Sequence, residues 1–107
     1  MKTPAKAKLD PRYAEITPGE ILVTEFLEPL TITPYRLAQE TGMPRSRVSE
    51  IIKGKRSITA ETALAFSLYF GNSPQFWLNL QTHFDLEQAT RNSLEKIKSK
   101  VKPLQAA

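Results

Sequence analysis

Arg45, Ser46 and Glu50 lie within a single six-residue stretch of this chain. Their polar tips can read base-pair edges. An arginine donates twice to guanine O6 and N7, a carboxylate accepts from cytosine N4, and a serine hydroxyl does either. Around them stand Arg47, Lys53, Lys55 and Arg56, cations suited to phosphate oxygens. This is chemistry of recognition, in which no covalent bond is broken. It requires the readers on the exposed face of a rigid element narrow enough for the DNA major groove.

The element that would carry them is Tyr35 to Gly54, YRLAQETGMPRSRVSEIIKG, which reads as a helix, a tight turn and a second helix. Leu37 and Ala38 share one face of the first helix, and Ala38 is small enough for close approach. Gly42 falls where the turn needs a positive φ. Val48, Ile51 and Ile52 form the i, i+3, i+4 stripe that packs back. Arg45, Ser46, Arg47, Ser49, Glu50 and Lys53 are left on the outer surface.

Helix starts are marked along the rest of the chain. Thr17-Pro18-Gly19-Glu20 has the hydroxyl, proline and glutamate of a capping box. Thr33-Pro34, Ser73-Pro74 and Thr59 supply three more starts. Breaks at Pro29–Ile32, Gly42–Pro44, Gly54–Ile58 and Gly71–Ser73 predict helices near 18–28, 34–41, 45–53, 60–70 and 74–88. No strand pattern competes, so the expected class is all-α. Leu22 with Phe26, Phe66 with Phe70, and Trp77 with Leu80 and Phe84 are helical neighbours expected to share a core. Helix 60–70, almost without charge, is expected to be the central buried element.

One domain fits 107 residues. The expected organisation is a flexible arm over 1–15, a helical domain over 16–90 and a basic extension or tail over 91–107, helical to about Lys100. The net charge of +4 is unevenly distributed. Residues 45–56 and 91–102 each carry +4, whereas 17–44 and 57–90 each carry −3. One basic island thus coincides with the reading helix. The absence of cysteine excludes disulfides, thiolate metal sites and thiol nucleophiles. No membrane span or apolar leader is visible, so a soluble, cytoplasmic chain is expected. His83 is the only histidine and has no catalytic or metal-ligand company; neither a cofactor nor enzymatic activity is expected.

The pattern L-A-x-x-x-G-x-x-x-x-x-V-S-x-I-I-x-G-K-R from Leu37 to Arg56 resembles the Cro/repressor-type (XRE) helix-turn-helix family. PGEIL at 18–22, FLEPL at 26–30, NSPQFWLNLQ at 72–81 and Asp85-Leu86 narrow the resemblance to antitoxins of HigA type. It covers residues 17–87. It implies a compact five-helix Cro/lambda-repressor-like domain, a homodimer, and binding to a double-stranded DNA operator that represses a promoter. It also implies neutralisation of a small HigB-like mRNA endonuclease, the toxin of a type II pair. The alternative is a stand-alone regulator with no toxin.

By that match, Arg45, Ser46 and Glu50 read bases. For Glu50 the alternative is a solvent-facing carboxylate offsetting Arg47. Arg47, Lys53, Lys55 and Arg56 are assigned to phosphate, with Thr33, Tyr35 and Arg36 at the opening of helix 34–41. Pro44 departs from the family pattern, standing where a Ser or Thr cap is usual. A basic toxin would prefer the acidic surface led by Glu20, Glu25 and Glu28. Trp77, Leu80 and Phe84, spaced i, i+3, i+7, are assigned to the core or to a dimer interface.

Overall fold

Thr17, Thr33, Thr59 and Ser73 each accept, on the side-chain hydroxyl, the backbone N–H three residues ahead, that of Glu20, Arg36, Thr62 and Phe76. These caps start four of the five helices in the computed structural model, which describes residues 16–105. The arm expected over 1–15 lies outside the described residues. Thr17 completes a capping box, its own N–H donating to the Glu20 carboxylate at 3.1 Å.

Helix α1 is composite. It opens as Pro18–Ile21, widens into a π-helical stretch Leu22–Leu27 and closes with Glu28–Leu30. The expected break at Pro29 is therefore displaced to Thr31. A proline inside an α-helix clashes with the carbonyl four residues back. The π register immediately before Pro29, with Glu28 N–H bonded to Val23 O, opens that turn. The helix stops at Thr31, which takes a left-handed φ of 56°, and Ile32 N–H closes onto Leu27 O at 2.8 Å.

Helix α2 (Pro34–Thr41) ends at Gly42, φ 74°, with Met43 N–H bonded to Ala38 O at 3.0 Å. Helix α3 (Arg45–Ile52) follows after Gly42, Met43 and Pro44 and ends one residue short of the expected Lys53. Helix α4 spans Ala60–Phe70 and α5 spans Pro74–Lys100. At 1.5 Å per residue the 27 residues of α5 reach about 40 Å, which explains the elongated envelope of 55 × 30 × 24 Å.

The core holds Leu22, Leu27, Leu37, Ala38, Val48, Ile51, Ile58, Ala63, Phe66 and Trp77. Trp77 is its centre, with ring centroids of Phe26, Phe66, Phe70 and Phe76 at 4.7, 5.1, 5.8 and 5.1 Å. Its indole N–H donates to Asn72 Oδ1 at 2.9 Å. Trp77 is 0% exposed, so of its two expected roles only the core remains: it has no surface to offer a second copy. Leu80 packs half-buried against the core, while Phe84 instead lines a small cleft beside Thr17 to Gly19. Helix α4 corrects a second expectation. Ala63 and Phe66 are buried, yet Leu64 and Leu68 on its outer side are 52% and 86% exposed.

Candidate nucleic-acid interface

The position of α3 is set from behind. A β-carbon at Gly19 would stand 2.0 Å from the carbonyl oxygen of Ile51, so α1 touches the end of α3 backbone to backbone. Only glycine permits that approach. Leu37, Ala38, Val48 and Ile51 fill the angle between α2 and α3. The charged side of α3 is thereby turned outward.

On that side Arg45 and Ser46 are exposed, and Arg47, Ser49 and Glu50 are half-buried. The Arg45 guanidinium lies over the Tyr35 ring, 5.0 Å from its centroid. At an exposed site such a contact stabilises by about 0.5–1 kcal/mol, enough to bias the rotamer of a side chain that must present a planar fork. Pro34, Tyr35, Arg45, Ser46 and Ser49 line one open depression spanning the starts of α2 and α3. Pro44 precedes α3 with φ −60° and makes no side-chain cap, so no hydroxyl competes for the first N–H groups of the helix.

The cations beyond α3 are held by two devices. Gly54, φ 77°, turns the chain, and Lys55 N–H closes onto Glu50 O at 2.8 Å. Arg56 Nε–H then donates to Glu50 Oε1, also at 2.8 Å. Farther on, the buried N–H of Ile58 donates to Gln81 Oε1 at 2.8 Å, and Gln81 Nε2–H donates to Asp85 at 2.9 Å. Lys53, Lys55 and Arg56 therefore project from a loop pinned at both ends, all three exposed.

On α2, Thr33 spends an acceptor lone pair on its cap, leaving its hydroxyl proton available to donate. Arg36 Nε–H donates to Glu40 Oε1 at 3.1 Å, and the Tyr69 hydroxyl of α4 donates to the same oxygen. The Tyr69 hydroxyl holds the Glu40 carboxyl below its ordinary value; desolvation opposes it, and the Arg36 guanidinium adds a lesser downward pull.

Arg45, Ser46 and Tyr35 are thus brought together, and Glu50 is coupled to Arg56. Glu20, Glu25 and Glu28 stand exposed on α1, Glu20 also serving the capping box. Sequence reasoning missed Gly19 and Gln81 as positioning residues. Both sit inside the quoted motifs, but only their distant partners, Ile51 and Ile58, reveal what they do. No helix among the described residues is long and apolar enough to cross a membrane.

A short polar helix presented over a tight turn, with cations around its exposed face, defines a helix-turn-helix module. A helix-turn-helix family model matches residues 24–77, and the chain belongs to this family, in its HigA antitoxin branch. It is 44% identical over 77 residues to virulence-associated protein I of Dichelobacter nodosus, spanning 72% of this chain and 71% of that one. It is 43% identical over 89 residues to antitoxin HigA-1 of Vibrio cholerae, covering 83% of both. The structure of Pseudomonas aeruginosa antitoxin HigA with the higBA promoter superposes with a TM-score of 0.80 at 37% identity, over 84% of this chain and 98% of that one.

Proposed function

We propose that this protein is a dimeric operator-binding repressor and the antitoxin of a type II toxin–antitoxin pair, regulating its own operon and neutralising a HigB-like mRNA endonuclease. The observation that carries the reading is the α3 face, where Arg45 is held over Tyr35 beside Ser46 in an open depression at the starts of α2 and α3. A relative at 37% identity carries the same fold and is described with promoter DNA. Arg45, Ser46 and Glu50 read bases in this proposal. Thr33, Tyr35, Arg36, Arg47, Lys53, Lys55 and Arg56 take phosphates, fixing register without reading sequence. The exposed carboxylates of Glu20, Glu25 and Glu28 receive the toxin, away from the basic face.

Binding to the DNA upstream of the protein's own gene, measured at two salt concentrations against excess random duplex, tests the DNA half. Tight, competitor-resistant binding that weakens steeply with salt is expected. Arg45→Ala should relax sequence preference, whereas Lys55→Ala should weaken all duplexes alike and reduce the salt slope by about 1. Affinity no better than for random DNA would overturn the operator reading. Charge reversal at Glu25 and Glu28 should weaken toxin capture; unchanged capture would remove the acidic face from the proposal.

A further inference from the structure

Arg36 and Glu40 form an i, i+4 ion pair on α2 whose charges stand at the wrong ends for the helix. Arg36 is the third residue of α2, where the macrodipole is positive, and Glu40 is the last but one, where it is negative. Both positions oppose the dipole, and this order of the pair is the less stabilising of the two. Helix stability therefore does not account for the arrangement. An incoming phosphate reverses the balance at the first turn, because the arginine and the positive end of the helix attract it together.

A third residue holds the pair from outside α2. The Tyr69 hydroxyl, on α4, donates to Glu40 Oε1, the same oxygen that accepts Arg36 Nε–H at 3.1 Å. Tyr69 lies 29 residues beyond Glu40 in the chain. Its ring packs edge-on against Phe70 with centroids 5.0 Å apart, and Phe70 in turn lies 5.8 Å from Trp77. The hydroxyl is thus anchored in the aromatic core, whereas the side chains of Arg36 and Glu40 are 54% and 44% exposed. Two long side chains in water hold a single geometry only weakly by themselves. With Glu40 tied to α4, the Nε–H of Arg36 has a fixed acceptor, and the terminal N–H groups of the guanidinium remain to meet a ligand.

We propose that Tyr69 is a positioning residue for DNA binding. Through Glu40 it orients the Arg36 guanidinium in advance, so that the terminal N–H groups meet a DNA phosphate with little freedom left to lose. This rests on the assignment of Arg36 to phosphate made above, and adds the two side chains that aim it.

Tyr69→Phe is the diagnostic variant, because it deletes one hydroxyl, keeps the ring on Phe70 and changes no charge. Glu40→Gln would raise the net charge and favour any polyanion, so it does not isolate the effect. Full-length protein is titrated onto both operator and random duplex at two salt concentrations. Tyr69→Phe should weaken binding to both by roughly threefold to tenfold, the range expected when one long side chain must be ordered on binding. Sequence preference and salt slope should match wild type, because the phosphate contact itself is kept. Arg36→Ala should lower the slope by about 1, and in that background Tyr69→Phe should have no further effect. In the free protein, nuclear magnetic resonance should show the Arg36 Nε–H exchanging with water several-fold faster in Tyr69→Phe, while the melting temperature stays close to wild type. Wild-type affinity in Tyr69→Phe, or an equal loss with and without Arg36, would overturn the inference and leave the phosphate contact standing. Wild-type affinity and slope in Arg36→Ala would instead overturn the phosphate assignment, and the inference with it.

Discussion

Arg56 donates its Nε–H to Oε1 of Glu50 across 2.8 Å, so a candidate phosphate ligand and a candidate base reader hold each other before either meets DNA. Both side chains are close to half exposed, 47% and 44%, and such a pair contributes at most about 1 kcal/mol. Its effect is on geometry, joining the last turns of α3 to the loop that follows. Glu50→Gln should change the unfolding free energy, read from urea denaturation, by no more than about 0.5 kcal/mol. In competition against single-base operator variants, the same change should cost roughly tenfold in discrimination at one base pair. A uniform rise in affinity for every duplex would show instead that Glu50 only balances charge.

Gly19→Ala tests the crossing that positions α3. The added methyl would lie 2.0 Å from Ile51 O, an atom of backbone that cannot step aside alone. Overpacking of this kind costs about 1–3 kcal/mol. Thermal unfolding should show the loss, and operator affinity should fall further than the instability accounts for, because α3 is displaced relative to α2. Unchanged affinity in a destabilised variant would separate packing from positioning.

Gln81→Leu removes the acceptor for the buried N–H of Ile58. Leaving that donor unpaired should cost about 1–3 kcal/mol of stability. The loop bearing Lys55 and Arg56 should exchange its amide hydrogens faster, and binding to all duplexes should weaken without change of sequence preference. Protection equal to wild type at Ile58 would deny Gln81 the anchoring role.

Thr31 is the only non-glycine with positive φ among the described residues. A β-branched residue is strained there, so Thr31→Gly should stabilise the protein by about 1 kcal/mol, read as a raised melting temperature. DNA affinity should change by no more than about twofold, since the Thr33 cap that starts α2 does not involve Thr31. A lower melting temperature would mean that the threonine side chain contributes more than its backbone strain removes.

What the sequence made legible was local. Caps at Thr17, Thr33, Thr59 and Ser73, and the left-handed turn at Gly42, depend on neighbours three or four residues away, and each is where the pattern put it. The composite α1 was not legible, because Pro29 reads as a terminator unless the turn before it is already widened. Helix α4 misled for a related reason. Periodicity registers that residues are apolar, but not that Leu64 and Leu68 point away from Ala63 and Phe66. Within the site, Arg45 and Glu50 were recognisable by type, whereas their holders, Tyr35's ring and Arg56, required coordinates. Gly19 and Gln81 act across 32 and 23 residues of chain, on Ile51 and Ile58, beyond the reach of any local rule.

Trp77 is the chain's single tryptophan, wholly enclosed by phenylalanine rings, and α3 carries no aromatic residue of its own. Excited at wavelengths beyond tyrosine absorption, the protein therefore has one fluorescent reporter, and it watches the hydrophobic interior alone. Its emission should be short in wavelength in the native state and shift to the red in one step as the interior opens. Titration with operator should leave that colour nearly still, so that unfolding and ligand association can be followed in the same cuvette without one signal contaminating the other.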